Sequence, residues 1–254
     1  MKVLITGATA GIGRATAGKF AREGHEIWIC GRRTERLEAI AAEFAGTTQV
    51  LIDAIDVSNR AEVAAFVNKV ATTWGAPDVL VNNAGKALGL GPIQDGDIDE
   101  WDTMIDTNLK GLLYITRGIA PLMKARKQGH IINLGSTAAK YVYPNGNVYC
   151  ATKHAVDALS ESMRIDLLAY NIKVTAIHPG MVDTEFSLVR FNGDEQRAAA
   201  TYQGFEPLHA EDIANTIYYC ATLPPHVCIN DLIITCTRQA NGIFKITDEQ
   251  LANG

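Results

Sequence analysis

Long apolar runs are missing from this sequence, and with them any candidate membrane span. The N-terminal MKVLITGATAGIG breaks into a glycine loop after a short apolar start, so it offers no h-region of a secretory signal. No later run approaches the roughly 20 apolar residues that cross a bilayer. A disulfide framework is equally absent. Cys30, Cys150, Cys220, Cys228 and Cys236 form no CxxC and are odd in number, which suits free thiols in a reducing compartment. There is no basic excess either, since 23 Lys and Arg against 28 Asp and Glu leave a net charge of −5. A nucleic-acid or anionic-membrane surface needs the opposite balance. None of the six histidines has a partner at metal-ligand spacing. These absences predict a cytoplasmic protein with no metal site, no membrane partner and no nucleic-acid partner.

What is present is the length and pattern of one α/β domain. With 254 residues, 47% of them hydrophobic, the chain can bury a full core as a single unit over 1–254. Apolar runs of strand length alternate with amphipathic stretches, the pattern of a parallel sheet closed by right-handed crossovers. In such sheets ligands collect beyond the strand C-termini. The first strand, Val3 to Ile5, runs into Thr6-Gly7-Ala8-Thr9-Ala10-Gly11-Ile12-Gly13, and a helical pattern follows at once. Unpaired backbone N–H groups and the positive end of a helix dipole favour a phosphate there, and glycine lets the backbone come close to it. A plain strand-to-helix turn is the other reading. The spacing is neither GxGxxG nor a P-loop.

The second strand, Glu26 to Cys30, is followed by Arg32 and Arg33, about twenty residues beyond the glycine loop, where a dinucleotide fold reads the ribose. An acid there takes a 2′-hydroxyl; two guanidinium groups suit a 2′-phosphate, which favours NADP over NAD. Alternatively they open a solvated helix and pair with Glu35 or Glu38. Helices over Thr34 to Phe44 and Asn59 to Trp74, the latter capped by Ser58, flank a third strand from Gln49 to Ile55. Asp56 and Val57 end that strand, with the carboxylate either at an adenine edge or capping a helix. A fourth strand, Val79 to Val81, opens into Asn82-Asn83-Ala84-Gly85, small residues that let a flat ring approach. Asn108 interrupts a well-patterned helix, as a bend or as a polar group with a task. A fifth strand, His130 to Leu134, leads to Ser136, and a helix from Asn147 to Tyr170 carries Tyr149 and Lys153 on one face. A lysine beside a phenol lowers the phenol pKa towards the range of proton exchange. A sixth strand, Lys173 to Ile177, ends in His178-Pro179-Gly180-Met181-Val182-Asp183-Thr184, and a seventh, Leu232 to Thr235, closes the pattern.

TGATAGIG at 6–13, NNAG at 82–85, the Asn108 of TNLKG, Ser136, Tyr149-x-x-x-Lys153 and PGMVDT at 179–184 together resemble the ordered motif set of the short-chain dehydrogenases/reductases. The match extends over nearly the whole chain. It implies a Rossmann-type, doubly wound, mostly parallel seven-stranded sheet flanked by helices, NADP(H) as cofactor, and a homotetramer or homodimer. It also implies a catalytic set of Asn108, Ser136, Tyr149 and Lys153. Tyr149 would be the acid in reduction and the base in oxidation, and Lys153 would lower its pKa and hold the ribose. Ser136 would orient the carbonyl, while Asn108 would help place Lys153 and a relay water. Gly7, Thr9, Gly11, Ile12, Gly13, Arg32, Arg33, Asp56, Val57, Asn83, Ala84, Gly85, Pro179, Gly180, Val182 and Thr184, with Tyr149 and Lys153, are the candidate cofactor contacts.

The stretch from Met181 to Pro207 is too long for a plain connector and reads as a substrate lid. Its TEFSLVRFNGD, with LPPHVCIND further on, resembles a subgroup of NADP-dependent 3-hydroxy acid dehydrogenases that includes serine and allo-threonine dehydrogenases. Closely similar enzymes reduce sulfoacetaldehyde to isethionate. Such substrates are short and anionic. Arg190 is then the candidate for the carboxylate or sulfonate, beside Ser136 and Tyr149, unless it pairs with Asp194 or Glu185 inside the lid. Tyr143 and Tyr202 either line the pocket or pack. The tail from 239 to 254 either frays or crosses to a neighbouring subunit. An NADP(H) sensor without turnover is the competing function, and the intact Ser136, Tyr149 and Lys153 speak against it.

Overall fold

Seven apolar runs form one sheet in the computed structural model, which describes residues 1–253. They are β1 (Lys2–Thr6), β2 (Glu26–Gly31), β3 (Val50–Ala54), β4 (Val79–Asn82), β5 (Gly129–Leu134), β6 (Ile172–Pro179) and, after a short separate pair of β7 (Val182–Asp183) and β8 (Leu208–His209), β9 (Asp231–Ile234). The order across the sheet is β3-β2-β1-β4-β5-β6-β9, and every pairing in it is parallel, where a mostly parallel sheet is expected. Strands buried on both faces are apolar at consecutive positions, as in Val3, Leu4 and Ile5 of β1.

Their alternating side chains feed two cores. Val3 and Ile5 pack with Phe20 of α1 (Gly11–Arg22), Leu37 of α2 (Thr34–Glu43) and Ile213 and Ile217 of a helix at Ala210–Thr222. Leu4 faces the other layer, with Phe66 of α3 (Arg60–Thr73), and with Ile115 and Val156 of two later helices. The remaining helices are α4 (Ile98–Ile105), α5 (Leu112–Arg126), α6 (Asn147–Leu167), α7 (Glu185–Arg190) and α8 (Glu195–Ala200); the Ala210–Thr222 helix is α9, and α10 is Asp248–Ala252. The result is a single Rossmann-type domain. Among the described residues no helix is long and apolar enough to cross a membrane.

Three local expectations change. Asn59, not Ser58, caps α3: its Oδ1 accepts from the Ala61 and Glu62 backbone N–H, while Ser58 turns back to Asp56. The helix from Asn147 stops at Leu167 and tightens into one 3₁₀ turn, Leu168–Tyr170, before Asn171 adopts φ +55°. The C-terminal tail folds onto its own chain, since Lys245 Nζ donates to Thr201 O and the Asp248 N–H donates to Gly204 O.

A buried polar chain ties the layers together behind the site. Asn82 Nδ2 donates to Thr116 Oγ1 and to Asn133 Oδ1, each at 2.9 Å, and Asn133 Nδ2 donates to Ser160 Oγ at 2.9 Å. The chain thus joins β4 and β5 to α5 and α6. Asn133→Ala removes the acceptor of one amide hydrogen and the donor to one hydroxyl, both out of water. We expect it to cost about 1–3 kcal/mol in urea unfolding; an unchanged midpoint and slope would show the chain to be dispensable.

Candidate active site

Strand order reverses between β1 and β4, and a cleft of about 530 Å³ opens beyond the strand ends at that reversal. The structure brings the sequence-selected residues together along its walls, from Arg32 and Arg33 at one end to Tyr149 and Arg190 at the other. Gly13 and Asn108 stand behind the wall. At Gly13 a Cβ would run into the Gly7 carbonyl and the Asn83 side chain, so this glycine serves the close approach of α1 to the loop.

The glycine loop is shaped for a bulky anion. Gly7 and Gly11 have φ of +66° and +49°, and a Cβ at Gly7 would lie 2.7 Å from the Ala84 backbone. Ala10 gives α1 no side-chain cap, so its first-turn N–H groups lack a side-chain acceptor and face the cleft. Thr6 Oγ1 accepts from the Asn83 and Ala84 N–H, and Asn83 Nδ2 donates to the Thr6 and Gly7 carbonyls. These bonds clamp the NNAG turn against β1.

Arg33 does not pair with Glu35 or Glu38. Its Nε and Nη2 donate to Thr9 Oγ1 at 3.1 and 3.0 Å, and its Nη1 meets Glu185 at 3.0 Å. Arg36, which sequence reasoning missed, takes the other Glu185 oxygen at 2.6 Å. Arg32 is largely exposed and 3.9 Å from Asp56. Asp56 does not cap α3, whose cap is Asn59. Asp56 Oδ1 accepts from Ser58 N and Oγ in a turn before α3, and the residue also lines the cleft.

Tyr149 and Lys153 lie one turn apart on α6, both buried. Burial pushes the Tyr149 phenol well above its ordinary range, further raised by Tyr143, and Ser136 and Arg190 pull it down. The expected lowering by Lys153 is absent here. Its Nζ is 6.0 Å from the phenol ring centroid and donates instead to Leu134 O at 2.8 Å, at the end of β5. Burial lowers Lys153 itself to about 8. Ser136 Oγ accepts from Ala138 N at 3.1 Å, which fixes the turn that carries it.

Asn108 is both a bend and a tasked polar group. It sits in a π-helical stretch, Asp106–Gly111, between α4 and α5. Its Nδ2 donates to Lys86 O and Thr152 Oγ1 and its Oδ1 accepts from Lys86 N. The side chain therefore holds the strand-end backbone and α6 rather than Lys153 directly. Lys86, another residue the sequence did not flag, lines the cleft with its pKa lowered by burial and by Arg32.

Arg190 does not pair with Asp194 or Glu185. Asp194 caps α8, and Glu185 is taken by Arg33 and Arg36. Arg190 Nη2 donates to Tyr143 Oη at 3.0 Å and its Nε to Gly89 O at 3.3 Å, and the guanidinium stands 5.6 Å from the Tyr149 ring centroid. Among the described residues no carboxylate neutralises it. Tyr202 lines the same end, with its hydroxyl donating to Val182 O. In space His178 gathers Asp157 and Asp231, which share the Lys140 ammonium.

Three comparisons bear on this geometry. A family model described as short chain dehydrogenase matches residues 1–193. The chain is 48% identical over 231 residues to an NADP-dependent 3-hydroxy acid dehydrogenase of Salmonella typhi, covering 91% of this chain and 92% of that protein. It is 42% identical over 245 residues to sulfoacetaldehyde reductase 2 of Chromohalobacter salexigens, covering 96% and 97%. A solved structure described as the closed form of serine dehydrogenase complexed with NADP+ superposes with a TM-score of 0.91 at 44% identity, covering 94% of this chain and 96% of that one.

The buried lysine has a consequence for stability. With a folded pKa of about 8 against an ordinary 10.5, the unfolded chain binds more protons between those values, so stability rises with pH across that window. Lys153→Met carries no buried charge. Its stability relative to the parent is expected to fall by on the order of 3 kcal/mol between pH 8 and 10.5 in urea unfolding. A constant difference would show that Lys153 keeps its ordinary pKa.

Proposed function

The chain belongs to the short-chain dehydrogenase family, and on that premise we propose that it is an NADP(H)-dependent oxidoreductase interconverting a short anionic aldehyde or oxo acid with its hydroxy form. The observation that carries the substrate class is Arg190. A guanidinium without a carboxylate partner, set beside the proton-bearing Tyr149, matches a carboxylate or sulfonate two or three bonds from a reacting carbonyl. The names of the relatives, a 3-hydroxy acid dehydrogenase, a sulfoacetaldehyde reductase and a serine dehydrogenase, all describe substrates of that kind.

The cleft suits NADP(H). The left-handed glycines and the α1 N-terminus leave room and donors for a pyrophosphate, and Arg32 and Arg33 offer guanidinium groups to a 2′-phosphate. Small residues at Asn83, Ala84, Gly85, Pro179 and Gly180 leave the central cleft open to a ring. Bound NADPH supplies a hydride to the carbonyl carbon. The chain supplies the rest. A buried phenol whose pKa is raised stays protonated at neutral pH, so Tyr149 can give its proton to the developing alkoxide. Ser136 hydrogen-bonds the same oxygen, and Arg190 fixes the other end of the molecule. Lys153 pins the end of β5 and keeps a cation near the phenol. The segment from Met181 to Pro207 serves as a lid, closed at its base by the bond from Leu208 N to Met181 O.

NADPH absorbance followed with sulfoacetaldehyde, 3-oxopropionate and an uncharged aldehyde of similar length tests this reading. The anionic substrates should turn over, and Tyr149→Phe should abolish turnover while cofactor binding persists. Arg190→Ala should raise KM for the anions by about 10- to 100-fold and leave the uncharged aldehyde unaffected. Cofactor binding with no oxidation of NADPH by any of them would favour a sensor. Replacing Arg32 and Arg33 by Ala should raise KM for NADPH far more than for NADH; equal rises would make the pair structural.

A further inference from the structure

Ser136 stands at the end of β5 with a buried histidine beneath it. His178, fully buried on β6, fits there because Gly135 has no side chain: a Cβ would run into the imidazole. Its Nδ1 lies 3.4 Å from Ser136 N and 3.2 Å from Ser136 O. Its Nε2 lies 3.3 Å from Asp157 Oδ1 and 3.4 Å from Asp231 Oδ1. Each carboxylate turns its other oxygen to Lys140 Nζ, so three elements and the segment after the Ser136 turn converge on one ring.

We propose that His178, oriented by Asp157 and Asp231, is a positioning residue that places the Ser136 hydroxyl for the reaction. The inference rests on the function proposed above. Nε2 forms no hydrogen bond with either oxygen, but two carboxylates within 3.4 Å make a lone pair there electrostatically unfavourable, so in the neutral ring the hydrogen resides on Nε2 and Nδ1 is a bare acceptor. An accepting Nδ1 holds the Ser136 N–H, and with it the turn in which Ser136 Oγ accepts from Ala138 N. Protonation of Nδ1 reverses the contact. The ring then repels the Ser136 N–H and donates to Ser136 O, which pulls the turn out of the arrangement that presents the hydroxyl beside Tyr149. The titratable groups facing the ring are Asp157 from α6, Asp231 from β9 and Lys140. Burial holds His178 below its ordinary pKa, Asp231 and Asp157 work upward, and Lys140 works downward, so the ring is neutral at pH 7. Activity should therefore fall on the acid side as His178 takes up a proton.

The test is the pH dependence of kcat, over about pH 5 to 9, for the parent, Asp231→Asn and His178→Asn. Asp231 is exposed at the cluster's rim and touches neither Ser136 nor the cleft, so its replacement spares the core. Loss of its charge should move the acid limb of kcat to lower pH. His178→Asn puts an amide that does not titrate at the Nδ1 position. It should bind NADPH with unchanged affinity, lose roughly 10- to 100-fold in kcat, and lose the acid limb. An acid limb at the same pH in all three proteins would overturn the inference, and so would a kcat loss in His178→Asn that leaves the limb in place, since a packing role predicts both. Ring ¹⁵N chemical shifts of His178 give a second reading independent of turnover. Hydrogen on Nε2 and none on Nδ1 at pH 7 is expected; the opposite tautomer would refute the inference even if no substrate were turned over. Absence of turnover in the parent, with the expected tautomer present, would count against the proposed function alone.

Discussion

The pairing of β1 with β4 is the contact on which the cleft depends. Val3, Leu4 and Ile5 lie opposite Val79, Leu80 and Val81, and beyond that register the two chains diverge, one into the glycine loop and one into the NNAG turn. A crossover to one side of β1 builds β2 and β3, and a crossover to the other builds β5 and β6. The divergence leaves the gap that the cleft occupies, with α7 along one of its walls. Thr6 keeps its walls in register by taking two backbone donors from the facing turn. Together with Asn83 Nδ2 on the Thr6 and Gly7 carbonyls, that clamp sets the separation of the glycine loop from the NNAG turn.

Cations dominate the interior of this gap although the chain as a whole is acidic. Lys153 is buried and Lys86 half-buried, Arg190 lacks an acid, and Arg32 has Asp56 only at a distance. Buried positive charge without a partner is unfavourable in the free protein, as the lowered Lys153 and Lys86 show. That unfavourable state is relieved by an anion. Such a cleft favours ligands that bring negative charge, as the proposed cofactor and substrate would.

The parts legible in the sequence are those whose cause is local. Strands were marked by apolar runs, Tyr149 and Lys153 by helical spacing, and the phosphate loop by glycines between a strand and a helix. Ordered motifs then added the family, and with it the sheet. What escaped depends on distant chain. Arg33 finds Glu185, far along the sequence, rather than the neighbouring glutamates, because the start of α7 folds back to the start of α2. The phenol pKa went the other way from expectation, since spacing fixes that Lys153 shares a face with Tyr149 but not where a flexible amine finds its acceptor. Asn59 displaced Ser58 as a cap once Asp56 had claimed the serine hydroxyl. His178 drew no notice, for its carboxylates come from a helix and a strand on either side of it in sequence.

Helix α7 begins with Glu185 and ends with Arg190. Its first residue grips Arg33 and Arg36 at one end of the cleft, and its last stands 5.6 Å from the Tyr149 ring centroid at the other. Six residues of helix are about 9 Å of nearly rigid rod. One short helix thus joins the two ends of the cleft, the Glu185 carboxylate on Arg33 and Arg36 and the Arg190 guanidinium on Tyr143 and Gly89.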